Sequence, residues 1–430
     1  MKLLSGFAMA MLLAGCASVA APNDSLDSIA TDYVRTQLEI GEREPGYIDA
    51  YYGPAQWQSE AKANPRPVED LAAAVDQLEA RIQAIDPARL GEMERARRAF
   101  LIGQLKAADT RLRMLRGEKL SFADEAEGLF GYRPELRPLS YYDGLLAEID
   151  ALVPGEGLLP DRIDAFQERF TIPKDRLKPV FDAAIAECRR RTLAHIPLPQ
   201  AEGFTLEFVT DKSWSGYNWY KGDYQSLIQV NTDLPIRISR AVDLGCHEGY
   251  PGHHAYNALL EQKLAKGRGW TEFTVYPLFS PQSLIAEGSA NYGIRLAFPG
   301  PERLKFETET LYPLAGIPAA DASRYAALLE AIEKISHARF TIARDYLEGR
   351  IDRDQAVALT QKYLLVSKAR AEQSVTFTDN YRSYVINYGL GQDLVRHWVE
   401  ATGPDQSSRW QAMERLLSQP TLPADLRPSR

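Results

Sequence analysis

The chain contains few cysteines, few histidines and no excess of basic charge. Only three cysteines and six histidines occur among its 430 residues. Beyond the first residues we find no apolar run of about 18 or more residues, the length that a membrane-spanning helix needs. The formal net charge is −8, the isoelectric point is near 5.5, and acidic and basic residues are well mixed. This composition argues against nucleic acid as a partner and indicates a large folded part outside any membrane.

The first residues, MKLLSGFAMAMLLAGC, have the pattern of a bacterial sorting signal. Lys2 precedes an apolar stretch that is too short to span a bilayer as a permanent anchor. The letters LAGC, ending at Cys16, resemble the lipobox, which implies cleavage before Cys16 and a lipid on that cysteine. We therefore expect a signal peptide over 1–16, a polar tether over 17–25 and a lipid anchor in the cell envelope. Because Ala17 follows the cysteine, we expect the outer membrane, facing the periplasm.

Two cysteines remain once Cys16 is assigned to the lipid, namely Cys188 and Cys246. An oxidising compartment would permit a disulfide between them, but a sequence does not show whether two distant residues meet. We therefore expect two buried free thiols, with Cys246 packed in the core.

Apolar residues recur at helical spacing through most of the chain, and proline-rich joints separate these segments. The region 203–232 differs, because it is rich in Thr, Val, Ile and aromatic residues with Gly and Asn breaks, which indicates short strands. We predict a mainly α fold, with a helical N-terminal part over 26–200 and a catalytic part over 201–430. The small β-sheet would lie beside the active-site helix. Helices are predicted at about 90–117, 174–194, 300–312, 319–348, 353–376 and 390–417.

Half of the six histidines lie in HEGYPGHH, residues 247–254. A histidine followed by Glu248 and by a second histidine on the same helix face is a typical start of a zinc site. Here the residue four after His247 is Pro251, which cannot continue an undistorted helix, so the segment must bend. We favour His253 as the second ligand. His254 is the alternative, although on a straight helix it would lie roughly 10 Å further along the axis from the first histidine.

The segment SLIAEGSANYG offers the third ligand. Glu287 stands in an otherwise apolar helical segment, where a buried carboxylate is costly unless it binds a cation. The small residues Gly288, Ser289 and Ala290 would allow that helix to pack closely on another.

Three blocks of the sequence resemble a known bacterial family. HEGYPGHH, EGSANYG and SYVINYGLGQ follow in the order of the blocks of the family catalogued as domain of unknown function 885, and PGYIDAYYGPAQW is similar to its N-terminal segment. The resemblance implies a helical zincin-like metallopeptidase fold. It implies Zn²⁺ on His247, on His253 or His254, and on Glu287, with Glu248 as general base. This chain departs from the family pattern in having Gly-Ser-Ala-Asn where the family has Gly-Trp-Ala-Leu. This departure affects the expected shape of the pocket more than the expected metal binding.

These residues suggest a hydrolytic mechanism on a peptide substrate. Zinc would lower the pKa of a water from about 16 toward 7, and Glu248 would carry its proton to the departing amine. Tyr388 is our candidate for stabilising the oxyanion, with Tyr384 and Arg382 in reserve. The strand DYQSLIQVN is expected at a sheet edge, where it could bind an extended peptide, beside an aromatic wall comprising Trp214, Tyr217, Trp219 and Tyr220.

Three functions fit these expectations. The first is a lipid-anchored zinc peptidase. The second is an amidase or carboxypeptidase that trims cell-wall peptides. The third is a non-catalytic metal-binding lipoprotein, against which the presence of Glu248 counts, because a binding module needs no general base.

Overall fold

The computed structural model describes residues 24–427 and is mainly helical with two small sheets. The signal peptide, the lipidated Cys16 and most of the tether lie outside these residues. None of the helices between residues 24 and 427 is long and apolar enough to cross a membrane. The helices are α1 (Leu26–Arg43), α2 (Ala55–Ala63), α3 (Val68–Ala84), α4 (Glu92–Leu115), α5 (Phe122–Phe130), α6 (Asp143–Leu152), α7 (Leu159–Glu168), α8 (Leu177–Leu193), α9 (Ser239–Leu244), α10 (His253–Leu260), α11 (Pro281–Ala297), α12 (Glu302–Phe306), α13 (Tyr312–Ala315), α14 (Ala322–Ile335), α15 (Ala338–Leu347), α16 (Arg353–Leu364), α17 (Lys368–Tyr381), α18 (Ile386–Glu400) and α19 (Gln406–Ser418).

The predicted helices are present, and several of the longer ones are divided. The segment 90–117 is α4, and 174–194 contains α8. The segment 353–376 is split between α16 and α17, because Leu365 adopts a left-handed conformation with φ 54° that ends α16. The segments 319–348 and 390–417 are likewise pairs of helices. The helical periodicity therefore located the segments, whereas local backbone reversals set their ends.

The strands form two separate sheets. In the first, β1 (Ile48–Tyr51) pairs antiparallel with β5 (Val275–Pro277). In the second, β4 (Gln225–Asn231) lies between β2 (Gly203–Val209), to which it is parallel, and β3 (Gly216–Gly222), to which it is antiparallel. The mainly α class with a small sheet in the region 203–232 is confirmed. The prediction that DYQSLIQVN forms an edge strand is wrong, because β4 is hydrogen-bonded on both sides and the two edges belong to β2 and β3.

Helices α11 and α18 pack closely against each other. A Cβ atom added to Gly288 would lie only 2.4 Å from the carbonyl oxygen of Gly391, and one added to Gly391 would lie 2.8 Å from the carbonyl oxygen of Leu284. Both helices can approach this closely only because neither has a side chain at the crossing. The small residues after Glu287 therefore do allow close packing, as expected.

A disulfide links α8 to the histidine segment. Cys188 and Cys246 are bonded across 58 residues, with their Cα atoms 5.4 Å apart. The expectation of two free thiols, with Cys246 as core packing alone, is wrong. Spacing along the chain could not show that α8 packs against residues 245–249, where Gly245 lies against the side chain of Ile185.

One hydrophobic core includes residues from both predicted parts of the chain. The pairing of β1 with β5 also joins a segment before residue 200 to one after it. The boundary at 200 stays a prediction, but the N-terminal part reaches the neighbourhood of the histidine segment.

Candidate metal centre

The chain reverses direction inside HEGYPGHH. A π-helical turn, Gly245–Gly249, continues from α9, the backbone leaves the helix at Tyr250, and α10 begins at His253 after a cis Tyr250–Pro251 bond. The backbone N–H of Gly252 donates to the carbonyl of Cys246 over 3.0 Å. The segment therefore bends at the proline, as its position predicts.

Gly252 makes the reversal tight. A Cβ atom at this position would lie 1.8 Å from the carbonyl oxygen of His247, which no side chain can occupy. The absence of a side chain here brings the start of α10 back against the turn that carries His247.

The reversal and α11 bring three metal-binding side chains together. The Nε2 atoms of His247 and His253 are 3.2 Å apart. The Oε2 atom of Glu287 lies 3.2 Å from Nε2 of His247 and 3.6 Å from Nε2 of His253. All three ligand atoms lie within 4.8 Å of one another. Two imidazole nitrogens and one carboxylate oxygen are a donor set that zinc binds with a fourth position left open.

The hydrogen bonds of Glu287 fit a cation in this space. Its Oε1 atom accepts a bond of 2.8 Å from the hydroxyl of Tyr384. Its Oε2 atom is buried and has no well-formed hydrogen bond from any described residue, although it faces both imidazoles. An oxygen without a partner in a buried place is costly unless a ligand completes it. The three side chains could therefore hold a metal ion.

The pKa shifts of Glu287 and His253 also favour a cation at this site. Burial opposes ionisation of Glu287, but His253 and His247 more than compensate, so that the pKa of this carboxyl is lowered. Burial also disfavours a charged His253, whereas the charge of Glu287 raises the pKa of that imidazole to about 9. The site thus favours an added positive charge, which a metal ion can supply in place of the proton.

The structure separates the two adjacent histidines. His254 is fully buried, with Nε2 3.0 Å from Oε2 of Glu202 and Nδ1 2.8 Å from Oγ of Ser226. Both of its ring nitrogens are therefore occupied by bonds on the far side of α10. Between the two alternatives, only His253 faces His247 and Glu287.

Asn291, which the sequence analysis did not single out, supports His247. Its Oδ1 atom lies 3.1 Å from Nδ1 of His247, and its Nδ2 donates to the carbonyl of Tyr388 over 2.9 Å. With the proton held on Nδ1 by this bond, the Nε2 lone pair of His247 is directed at the metal position. The sequence could have indicated Asn291, because it follows Glu287 by four residues and therefore lies on the same face of the helix.

Glu248 lies beside these ligands. It is buried, and its Oε1 occupies the space next to Gly216 of β3, where a Cβ atom would be only 2.8 Å away. Its backbone carbonyl accepts a bond of 2.8 Å from Nδ2 of Asn218. Burial raises the pKa of Glu248, and the imidazoles of His247 and His253 partly offset this effect. A carboxylate in this position has the chemistry of a general base.

The three candidates for the oxyanion partner differ in position. Tyr388 lines the cavity, with its ring centroid 6.4 Å from that of His247. Tyr384 also lines the cavity, and its hydroxyl donates to Oε1 of Glu287, a candidate metal ligand. Arg382 is bound to the buried Glu125, with Nε to Oε2 at 2.9 Å, and is not among the residues that line the cavity.

Asp49, also missed from sequence, lies near the same centre. It belongs to β1, and the hydroxyl of Tyr217 donates to its carboxylate. Burial raises the pKa of Asp49 to about 6, while the bond from Tyr217 and the charge of His253 lower it. A carboxylate placed within the apolar pattern of YIDAYY was the available signal.

A cavity of about 730 Å³ opens onto these residues. Residues 213–218, which lead into β3 and begin it, form part of its wall, together with residues of α9, α11, α15, α17 and α18. Trp214 and Tyr217 line it and contact each other, with ring centroids 5.4 Å apart. Tyr220 faces away and donates to Glu261, so the expected aromatic wall includes fewer residues than predicted.

Comparisons with known proteins identify a related fold but no family. No protein-family model and no curated protein matches the sequence. The structure is similar to a candidate lipoprotein from Colwellia psychrerythraea, with 16% identity, a TM-score of 0.51 and coverage of 83% of this chain. The chain spans 65% of the length of that protein. An M32 carboxypeptidase from Deinococcus radiodurans aligns at 12% identity over 90% of this chain and 88% of its own, with a TM-score of 0.38. The match to the Colwellia protein shows likeness of fold alone.

Proposed function

We propose that this protein is a zinc-dependent hydrolase that cleaves peptide bonds. One observation supports the proposal above the others, namely the convergence of His247, His253 and Glu287 within 4.8 Å around a carboxylate oxygen that lacks a hydrogen-bond partner among the described residues. Glu248 adjoins this centre at the edge of the same cavity, which is where a general base would be needed.

The ligand side chains fit a zinc ion, which when bound would lower the pKa of a water and polarise the carbonyl of a substrate. Glu248 accepts the proton of the attacking water and returns it to the departing amine. Tyr388 remains protonated, because burial and the charges of Glu287 and Glu248 raise its pKa. Its hydroxyl can therefore donate a hydrogen bond to the developing oxyanion.

The free edge of β3 is suited to hold an extended peptide. Along the described chain β3 pairs only with β4, and residues 213–218, which lead into β3 and begin it, border the cavity beside Glu248. Main-chain groups on that edge can bind a peptide as an added strand. We therefore propose β3 as the peptide-binding strand in place of β4, the strand expected from the sequence.

The cell envelope is the proposed location. The lipobox-like segment ending at Cys16 supports a lipid anchor to a membrane, with the folded part in the periplasm. The disulfide between Cys188 and Cys246 supports an oxidising compartment, since such bonds persist there. Peptides of that compartment are the proposed substrates, and nucleic acid is not a proposed partner.

Two isosteric variants of neighbouring carboxylates test the function. Glu287→Gln removes a charged ligand, so it should lose stoichiometric zinc and peptide cleavage together. Glu248→Gln leaves the ligands intact, so it should keep zinc and lose cleavage of a peptide library. Zinc binding without cleavage by the unaltered protein would favour a metal-binding lipoprotein, and cleavage of cell-wall peptides alone would favour the amidase. Unchanged metal content in Glu287→Gln would refute the site.

A further inference from the structure

One arginine in the cavity wall, Arg339, has neither a carboxylate partner nor a side-chain hydrogen bond among the described residues. Arg339 lies in the first turn of α15, and its Nε atom is buried without a hydrogen bond to any residue in the range 24–427. Burial lowers the pKa of this guanidinium, and no carboxylate is among the groups that act on it. The residue as a whole is half-buried, so its guanidinium presents to the cavity a donor that a bound group could satisfy.

Most of the other arginines around the cavity are paired with carboxylates, whereas Arg370 donates to the backbone carbonyl of Pro235 over 2.8 Å. Arg237 donates to Asp164, and Arg303 lies 2.8 Å from both Asp243 and Glu307. The same wall therefore contains arginines whose side chains bond to other residues and one whose side chain bonds to none of the described residues. The exception, Arg339, is also close enough to Arg240 for the positive charge of Arg240 to lower its pKa further.

Arg339 lines the same cavity as the three side chains of the candidate metal centre. The start of α15 packs on α18, since a Cβ atom at Gly389 would be 2.7 Å from the ring of Phe340. Tyr388, the residue before that glycine, interacts electrostatically with Arg339 on one side and with Glu287 on the other. A group bound by Arg339 would therefore share the cavity with a peptide at the metal centre.

We propose that Arg339 binds a carboxylate of the substrate peptide, so that the cavity selects peptides carrying a negative charge close to the bond that is cleaved. A guanidinium presents a planar fork of donors that matches a carboxylate. The carboxylate can come from the chain terminus, which would make the protein a C-terminal exopeptidase, or from an acidic side chain. This inference rests on the proposed function, because it assumes that a peptide occupies the cavity.

A binding assay on the zinc-loaded Glu248→Gln protein separates the two sources. The probes are acetylated tetra-alanine as free acid, the same peptide as C-terminal amide, and acetyl-Ala-Ala-Ala-Glu amide. Calorimetry should show about 10- to 100-fold tighter binding of a carboxylate-bearing probe than of the tetra-alanine amide. Preference for the free acid assigns the terminus, and preference for the glutamate amide assigns a side chain.

Arg339→Gln should abolish that preference, whereas Arg344→Gln should keep it. Arg344 lies on the same helix but pairs with its neighbour Asp345 and is not among the residues lining the cavity. Thermal unfolding gives a second readout, since removing a charge without an ion-pair partner should not lower the melting temperature of Arg339→Gln. Equal binding of acid and amide probes, or a preference that survives Arg339→Gln, overturns the proposal. A preference that depends on Arg339 in a protein without hydrolytic activity would retain the subsite and refute only the proposed function.

Discussion

Replacing Gly288 by alanine tests whether the contact between α11 and α18 positions the metal centre. The new Cβ atom would lie 2.4 Å from the carbonyl oxygen of Gly391, whereas real contacts of this kind are not shorter than 3.0 Å. Both atoms belong to or adjoin the backbone, so no side-chain rotation can relieve the clash. The helices must separate by at least about 0.6 Å. Overpacking of this kind costs about 1–3 kcal/mol.

The displacement should also reach Glu287, the residue before Gly288. Its Oε2 atom is 3.2 Å and 3.6 Å from the two imidazoles, so a shift of this size is a large fraction of the bonding tolerance. We expect zinc affinity to fall, and peptide cleavage to fall roughly 10- to 100-fold, since misplacement by about 1 Å can cost that much.

Gly144→Ala is the matched control. Gly144 lies in the first turn of α6, and a Cβ atom there would meet nothing within 4 Å. It should gain helix propensity of up to about 1 kcal/mol without a clash. Urea unfolding should therefore place the midpoint of Gly288→Ala below that of Gly144→Ala, with zinc affinity measured by chelator competition. Equal midpoints and unchanged zinc affinity would refute the reasoning.

Three further predictions concern other contacts. Replacing Cys188 and Cys246 by serine should lower the free energy of unfolding by about 4 kcal/mol in a chain-entropy estimate for their 58-residue separation, and free thiols in the untreated protein would contradict this. Burial opposes ionisation of Glu202, but bonds from three neighbours lower its pKa to about 2. The ionised Glu202 thus contributes up to about 3 kcal/mol to the free energy of unfolding above pH 4.5, its ordinary pKa, and this contribution is lost as the pH falls toward 2. The difference in stability between the unaltered protein and Glu202→Gln, measured without metal, should therefore vanish over that range. Asn291→Ala should weaken zinc binding about 10- to 100-fold in chelator competition with little change in helix content, and unchanged affinity would show that its bond to His247 is not needed.

The sequence predicted those features that depend on neighbours along the chain. Helical periodicity located α4 and α8, and the proline at 251 predicted the bend that the structure has. Glu287 could be selected because a carboxylate in an apolar helical segment needs a reason to be there. Each of these inferences uses residues within about two helical turns of each other.

The features that the sequence did not predict depend on contacts between distant segments. In the order β2-β4-β3, β2 pairs in parallel with β4, and β3, which lies between them in the sequence, is at an edge of the sheet. Alternation of polar and apolar residues cannot distinguish this order from β2-β3-β4, the order of successive hairpins. The disulfide depends on how α8 packs against the turn carrying Cys246. Arg339 looked like any other helical arginine, because only the folded structure shows that no carboxylate reaches it.

The different positions of His253 and His254 likewise depend partly on the local helix geometry and partly on contacts with distant segments. Adjacent residues on a helix point about 100° apart, so only one of the two can face His247. Which one does so depends on what satisfies the other. Glu202 and Ser226, from the chain before the motif, accept and donate bonds at both ring nitrogens of His254. His254 therefore anchors the start of α10 to the three-stranded sheet, and this anchoring fixes the rotation of the helix that directs His253 at the metal position.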